Sequence, residues 1–591
     1  MMNNQRKSLL TILFMGATLT TPLVAQDLQT ALKDVEAERF TKAGQTLTQL
    51  ASSSPSAENQ FYLGYYYLRS GQIDQAKAAF EKGAAADAKN QLNNVGLAGV
   101  ALAKKDRAAA KTLIDNAVAA TKSKNQDVLI RAGEMYTLEE TNDPAEAIRL
   151  LTIADEKDKK NENAEIEMLL GDAYFLKNDG GNAISKYENA LAITPNLAEA
   201  NYKIGRLYLR GKNYTKAQEY FKLAIQNDPE FAPTYRAYAD ALANSRAYKS
   251  AAQNYELYVQ KSGTTDPEQL LDVARYKFLA EDYQGAITYL DQLKGKINNP
   301  IIDRMYGWAY TALNKNNEAV ESLNKFITTA PQKVIYDDYK YLGRAYGQLA
   351  TPEGDSLSVI NLEKAAAEDT VDNLYREIAK KYYDLKRFDK AAAYYDKTIK
   401  HDKKPQNNDY LWLGLASYQY APRVGRDSTA APMDSAQTAQ LKQQYYLTAD
   451  SAFQQMAQKI EADGKTYPLA YYYSGMANYY AYSKDPEKAS EAATPIFLKF
   501  IEQTTDKKDP NDKTDYSRYQ VTAYKTLAGF SIAKKDDAKA KEYFNKVLEI
   551  SPNDADVKKA LEGPKETPVQ ATKPAGKPAA KPAAKKSTAG K

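Results

Sequence analysis

The stretch EMLLGDAYFLKNDGGNAISKYENALAITP, residues 167–195, decides the fold. Leu170, Gly171 and Tyr174 are spaced for one face of a helix, and Ala183, Tyr187 and Ala190 stand at i, i+4 and i+7 of a second. Between them Asn178-Asp179-Gly180-Gly181 predicts a turn, and Pro195 ends the pair. A small residue in each helix lets the two backbones approach where they cross, and the ring of Tyr187 fills the space beside them.

The same pattern repeats in both directions. Small residues in this setting recur at Gly64, Ala98, Gly133, Gly171, Gly205, Ala239, Ala274, Gly307, Gly343, Ala379, Gly414, Gly475 and Ala528. The intervals are 33 to 38 residues, except for 61 and 53 at the end. Tyr339, Leu342, Gly343 and Tyr346 show the first-helix face at i, i+3, i+4, i+7. Second helices carry Ala76, Phe80, Gly83; Ala217, Phe221, Ala224; and Ala540, Phe544, Val547. A further copy at Ala31, Ala43, Leu47, Leu50 and Pro55 brings the count to fourteen. One such hairpin cannot bury its apolar face alone, so the units must stack.

This pattern resembles the tetratricopeptide repeat family: aromatic-x2-Leu-Gly-x2-Tyr, then Ala-x3-Phe, then Pro. The resemblance covers residues 27–562 and implies an all-α fold, a right-handed α-α superhelix of about fourteen helical hairpins. The expected organisation is a signal peptide, 1–25; a repeat array of about eleven and a half units, 26–420; and a loop insertion, 421–440, after which the second helix resumes with Ala449, Phe453 and Met456. Irregular repeat-like units follow at 441–503, with Pro495 inside a helix; then come a linker, 504–515, a terminal unit and capping helix, 516–562, and a Lys/Ala/Pro-rich tail, 563–591. The tail has too little apolar surface to offset ordering and is expected to be disordered.

In this family the first helices line the inner wall. Carried onto this chain by their offsets from the small residue, the wall positions include Phe61, Tyr65 and Leu68; Tyr202, Arg206 and Leu209; and Tyr472, Met476 and Tyr479. Arg206, Arg236, Arg275, Arg304, Arg344 and Arg376 fall at such positions in six successive units, joined by Lys340 and Lys380. On one wall they would form an arginine ladder able to hold carboxylates or phosphates. Asp240, Asp272 and Glu377 are interleaved, which fits equally a solvated face of mixed charge. The family's clamp for C-terminal carboxylates is not reproduced in any three adjacent units.

Arg6 and Lys7, an apolar run from Leu9 to Leu19 and the small residue Ala25 before Gln26 predict a secretory signal peptide. No later stretch approaches 18 apolar residues, so no transmembrane segment is expected in the mature chain, which is placed in the periplasm or at the periplasmic face of an outer membrane. The net charge of +5 divides unevenly: +2 in the signal segment, +6 in the tail, and −3 over residues 26–562. The tail resembles linker-histone tails in composition. Behind a signal peptide it reads either as an electrostatic tether to an anionic envelope polymer or as a solubilising tail with no specific partner, and no nucleic acid is expected.

No cysteine and one histidine, His401, leave no thiolate chemistry and almost nothing for a histidine metal site or a Ser-His-Asp relay. His401 is expected in an exposed connecting loop. Phosphate loops and nucleophile elbows are missing, and paired carboxylates such as Glu139-Glu140 are too common on helix faces to mark a site. The expectation is a non-enzymatic scaffold with no cofactor and no metal, binding protein partners in the cell envelope as an accessory of a transport, energy-transduction or secretion system. An envelope carbohydrate or peptidoglycan binder that stacks sugars on its 46 tyrosines remains the other reading.

Overall fold

The computed structural model describes residues 22–138, 143–160, 162–368, 373–426, 433–505 and 513–562. The expected signal segment as far as residue 21, Glu139-Glu140, residues 427–432 of the widened turn, 506–512 of the linker and the tail 563–591 lie outside the described residues. Among the described residues there are 29 α-helices and no strand. They follow as fourteen helix–turn–helix pairs, from Pro22–Glu36 with Phe40–Ser53 to Ser517–Ala533 with Asp537–Ile550, closed by Ala555–Glu562.

The chain divides into two compact units at Leu349/Ala350, between the two helices of the tenth pair, Tyr336–Gln348 and Pro352–Glu368. In each unit the small residue of a first helix faces the large residue of its second. A Cβ on Gly64 would lie 2.5 Å from the ring of Phe80, on Gly171 2.3 Å from Tyr187, and on Gly205 2.6 Å from Phe221. In the second unit Gly414 meets Phe453 and Gly475 meets Phe497 in the same way. The core is this row of crossings, and Tyr187, Phe80, Phe221, Phe453 and Phe497 are all fully buried. In the last pair Tyr543, rather than Phe544, takes the buried position between Ala540 and Val547.

Local chemistry sets the helix ends. Asp106, Asp143, Asp179, Asn213, Asp282 and Asp536 each cap a second helix, the side chain accepting from the backbone N–H three residues on. Gly180 and Gly181, expected in a turn, are the first residues of the helix that Asp179 caps. Just before the cap a residue in left-handed conformation reverses the chain: Asn178, Lys212, Glu281 and Lys386 among them, with Gly71 a glycine at this place. The widened turn of the twelfth pair contains a short 3-10 turn, Ala421–Arg423, and its second helix, Ser435–Ala462, starts well before Ala449. Pro495 lies within the continuous helix Pro486–Thr505. His401, expected in a loop, is the last residue of the helix Phe388–His401, its ring 5.3 Å from that of Tyr375.

Candidate functional site

In the first unit the chain curls back so that the turn between its first two helices meets the sixth and seventh pairs. Glu38, in left-handed conformation at that turn, accepts from Arg236 Nη2 at 2.8 Å and from the Tyr258 hydroxyl at 2.7 Å. Arg39 Nη1 donates to the carbonyl of Glu230 at 2.6 Å. Ala37 is buried with Tyr202, Phe221, Phe231 and Ala237. These contacts span about two hundred residues of sequence and enclose a cavity of about 530 Å³. Its walls come from Glu36 and Glu38 of the corner, Arg69, Phe175, and the first helices Ala198–Arg210 and Ala232–Asn244.

The cavity is dense in charge, and most of that charge is internally matched. Arg69 Nη1 donates to Glu36 at 3.0 Å and to the Tyr65 hydroxyl at 2.7 Å. Lys203 pairs with Asp172 at 2.6 Å and Glu199 at 3.2 Å. Burial pushes the Glu36 carboxyl up, but Arg69, Lys203 and the Tyr65 hydroxyl outweigh it and hold that group below the ordinary carboxylate range. Burial wins at Glu199, whose carboxyl is raised despite Lys203. Asp240 is likewise raised by burial, although it accepts from the Tyr276 hydroxyl.

Of the four guanidinium groups lining this cavity, two have no carboxylate within ion-pair distance among the described residues. Arg206 lies over the rings of Phe175, 5.2 Å from its centroid, and Tyr202, at 5.7 Å. Arg210 lies 4.4 Å from the same Phe175 centroid and donates to the Phe175 carbonyl at 2.9 Å. Both are exposed, one helical turn apart on one helix. The aromatic faces fix where these cations sit without neutralising them.

The expected wall residues fare differently one from another. Phe61, expected to face a partner, is fully buried against Phe80, and Tyr65 is buried in hydrogen bonds with Arg69 and Glu134. Leu68 and Met476 are buried too, and Tyr202 is nearly so, beside Phe221 and Phe231. Their first helices pack on both sides, against the hairpin partner and the neighbouring repeat, which leaves these positions no outward face.

The ladder is not a continuous free wall. Arg236 is taken by Glu38, Arg275 by Asp272 at 2.5 Å, and Arg304 by Asp338 through bonds of 2.9 and 2.8 Å. Arg344 is half-buried on the same first-helix face of its repeat. In the second unit Arg376 is held bidentately by Asp409 at 2.7 and 2.9 Å and also by Asp402. Arg304–Asp338 and Arg376–Asp409 join consecutive repeats, 34 and 33 residues apart, and each acidic partner also accepts the backbone N–H that opens its own helix. Lys340 is buried beside Asp337, and Lys380 pairs with Asp384.

In the second unit, Tyr472 is half-buried within a chain of rings that includes Tyr473, Phe500 and Tyr519. Tyr479 is exposed beside Tyr480 and Phe530. This unit also has a cavity of about 640 Å³, lined by Gln440, Gln443, Gln444 and Gln455 of the long helix Ser435–Ala462 together with Tyr410 and Leu413. Among the described residues no group of three or more His, Asp or Glu side chains is placed to hold a metal, and no helix is long and apolar enough to cross a membrane.

Sequence spacing finds Arg206 and Arg236 but misses Arg69, Arg210, Lys203, Glu36 and Glu38. Arg69 and Arg210 each stand five residues after their small residue, Gly64 and Gly205, and that shared offset is a signal in the sequence. Glu38 carries none, because its partners are 198 and 220 residues away.

Comparison with known proteins places these repeats. A tetratricopeptide repeat model matches residues 57–90, 198–231, 305–333 and 522–554, and a TPR repeat model matches 171–212. A TPR repeat-containing protein, YpiA of Bacillus subtilis (strain 168), is 25% identical over 174 residues, 29% of this chain and 39% of that protein. The chain thus covers less than half the length of that relative. Among solved structures, the C-terminal part of a TPR repeat-containing protein from Cytophaga hutchinsonii is 20% identical, with 49% of this chain and 99% of that one covered at a TM-score of 0.31. Yeast Tom70 is 12% identical over 69% of this chain and 97% of its own, at a TM-score of 0.27.

Proposed function

We propose that this chain, which carries tetratricopeptide repeats at residues 57–90, 171–212, 198–231, 305–333 and 522–554, is an envelope scaffold that acts by binding rather than catalysis and holds protein segments in the cavity of its first unit. The observation that carries this reading is the pair Arg206 and Arg210, exposed, oriented by Phe175 and without a carboxylate partner among the described residues. Cations held in place by aromatic faces have little conformational freedom left to lose on binding, which is what a recognition surface requires. The test is photo-cross-linking in the native host with benzoylphenylalanine at Leu209, inside the cavity, and at Lys82, on the exposed side of an outer helix. Protein adducts at Leu209 and none at Lys82 are expected; equal labelling at both sites contradicts the proposal.

We further propose export, from the charged and apolar pattern of residues 6–25. The mature N-terminus is then Gln26, within the helix Pro22–Glu36. Its packing residues Ala31 and Val35 lie beyond the cut. N-terminal sequencing of protein purified from the host checks this, and a chain that keeps residues 1–25 in a cytoplasmic fraction contradicts it. Service to an outer-membrane transport, energy-transduction or secretion machine is the corresponding role, with residues 563–591 as an electrostatic tether to anionic envelope polymer.

The carbohydrate reading draws on Tyr479 and Tyr480, residues that are 37% and 39% exposed. It predicts that the full chain sediments with purified cell wall and that Tyr479→Ala with Tyr480→Ala abolishes this. Sedimentation that depends only on the tail leaves the repeats to protein partners.

A further inference from the structure

We propose that the cavity of the first unit reads an acidic polypeptide segment: a side-chain carboxylate of the partner is taken by Arg206 and Arg210, beside the one the chain itself supplies through Glu38. This rests on the scaffold reading above and names its partner's chemistry.

Three observations converge on it. The first is the charge inventory. Arg69, Arg236 and Lys203 have Glu36, Glu38, and Glu199 with Asp172, and the remaining wall carboxylate, Asp240, accepts from the Tyr276 hydroxyl; Arg206 and Arg210 have no carboxylate among the described residues. Two like charges at i, i+4 on one helix repel, and an anion bound between them relieves that repulsion.

The second is that the wall already displays its own mode of recognition. Glu38 arrives from a turn 198 residues away and is read by one guanidinium and one tyrosine hydroxyl, at 2.8 and 2.7 Å. It is a side-chain carboxylate inside a chain, not a chain terminus. In the sixth pair Tyr202 takes the place that Arg236 has in the seventh, and Arg206 stands one helical turn further along the same helix, so a partner carboxylate one repeat earlier than Glu38 meets a guanidinium shifted by that turn.

The third is size and rigidity. About 530 Å³ admits a few side chains of an extended segment and is too small for a folded domain. Phe175 holds both guanidinium groups in position at 5.2 and 4.4 Å before any ligand arrives. Leu209, half-buried in the cavity wall beside the buried Phe231 and Pro233, offers apolar contact for the partner's backbone and neighbouring side chains.

The probe is tetraglutamate, acetylated at its N-terminus and amidated at its C-terminus, titrated calorimetrically into the full chain at low ionic strength, where exposed charge is least screened. Saturable binding at one site is expected. Arg206→Gln with Arg210→Gln weakens it about tenfold or more, the loss of charge-assisted hydrogen bonds worth at least ~1.5 kcal/mol. The control, Lys82→Gln with Lys89→Gln, removes two exposed charges away from the cavity and changes affinity less than about twofold. Thermal melts of both variants, read by circular dichroism, show that the helices remain.

No saturable binding, equal losses in the two variants, or binding only of the peptide with a free C-terminal carboxylate overturns the proposal. So does retention of inorganic phosphate at Arg206 and Arg210 when the peptide is not retained. Failure of the peptide while Leu209 still cross-links to protein removes the acidic segment and leaves the scaffold standing. The converse pattern removes the scaffold role in the host.

Discussion

Gly171 shows how a single missing carbon sets a repeat. A Cβ there would lie 2.3 Å from the ring of Tyr187, which is fully buried and donates its hydroxyl proton to Asp172 at 2.8 Å. Neither ring nor hydrogen bond can yield without disturbing the other, so Gly171→Ala is expected to cost about 1–3 kcal/mol, an overpacking penalty. A urea midpoint unchanged from wild type would refute this. Asp338 makes the opposite point about charge. It is fully buried, accepts two bonds from Arg304, and caps the start of its helix through the Ile335 N–H. Asp338→Ala leaves a largely buried guanidinium unpaired and is expected to destabilise the first unit by about 3 kcal/mol. Denaturant titration of the variant measures it. The sequence exposes Gly171 and Tyr187 because their spacing is local. It cannot expose the fate of Arg304, since whether an arginine on a helix face meets solvent or a carboxylate in the next repeat depends on the packing between repeats.

Among the elements, the turns carry local backbone strain and the first corner carries a pH-dependent part of the stability. Lys386 sits exposed in left-handed conformation between Tyr375–Asp384 and Phe388–His401, at φ 59°. Glycine takes that conformation without the Cβ clash, so Lys386→Gly is expected to stabilise the second unit by about 1 kcal/mol, less the extra entropy of the unfolded chain. A lowered midpoint would contradict the assignment of strain to this turn. The corner holding Glu36 responds to pH. Its carboxyl lies below the ordinary value of 4.5 in the folded chain, so the stability it contributes is fully present above that value and is lost as pH falls below it. The advantage of wild type over Glu36→Gln in urea therefore fades on acidification, and an advantage that stays constant down to pH 3 argues against the Arg69 pairing. The paired helices were legible from hydrophobic period and small residues, and the caps from Asp and Asn. The length of Ser435–Ala462 was not, because its added turns are polar glutamine-rich sequence with no periodic apolar signal.

For the molecule as a whole, fourteen helix pairs are written plainly in the sequence, while the division at Leu349/Ala350 has no mark in composition or spacing. The functional surface was half legible: the offset rule finds Arg206, but the rest of the cavity depends on the first turn meeting repeats about two hundred residues later. Within the first unit that closure ties up Arg236 and leaves Arg206 and Arg210 beside one cavity without a carboxylate partner among the described residues, which is where we propose partner recognition. The most direct measurement is the yield of protein adducts from benzoylphenylalanine at Leu209 in host cells, compared between the wild-type background and Arg206→Gln with Arg210→Gln. A specific adduct in the first and its loss in the second, at equal protein level and equal thermal stability, are expected. An adduct of undiminished yield in the double variant would contradict this.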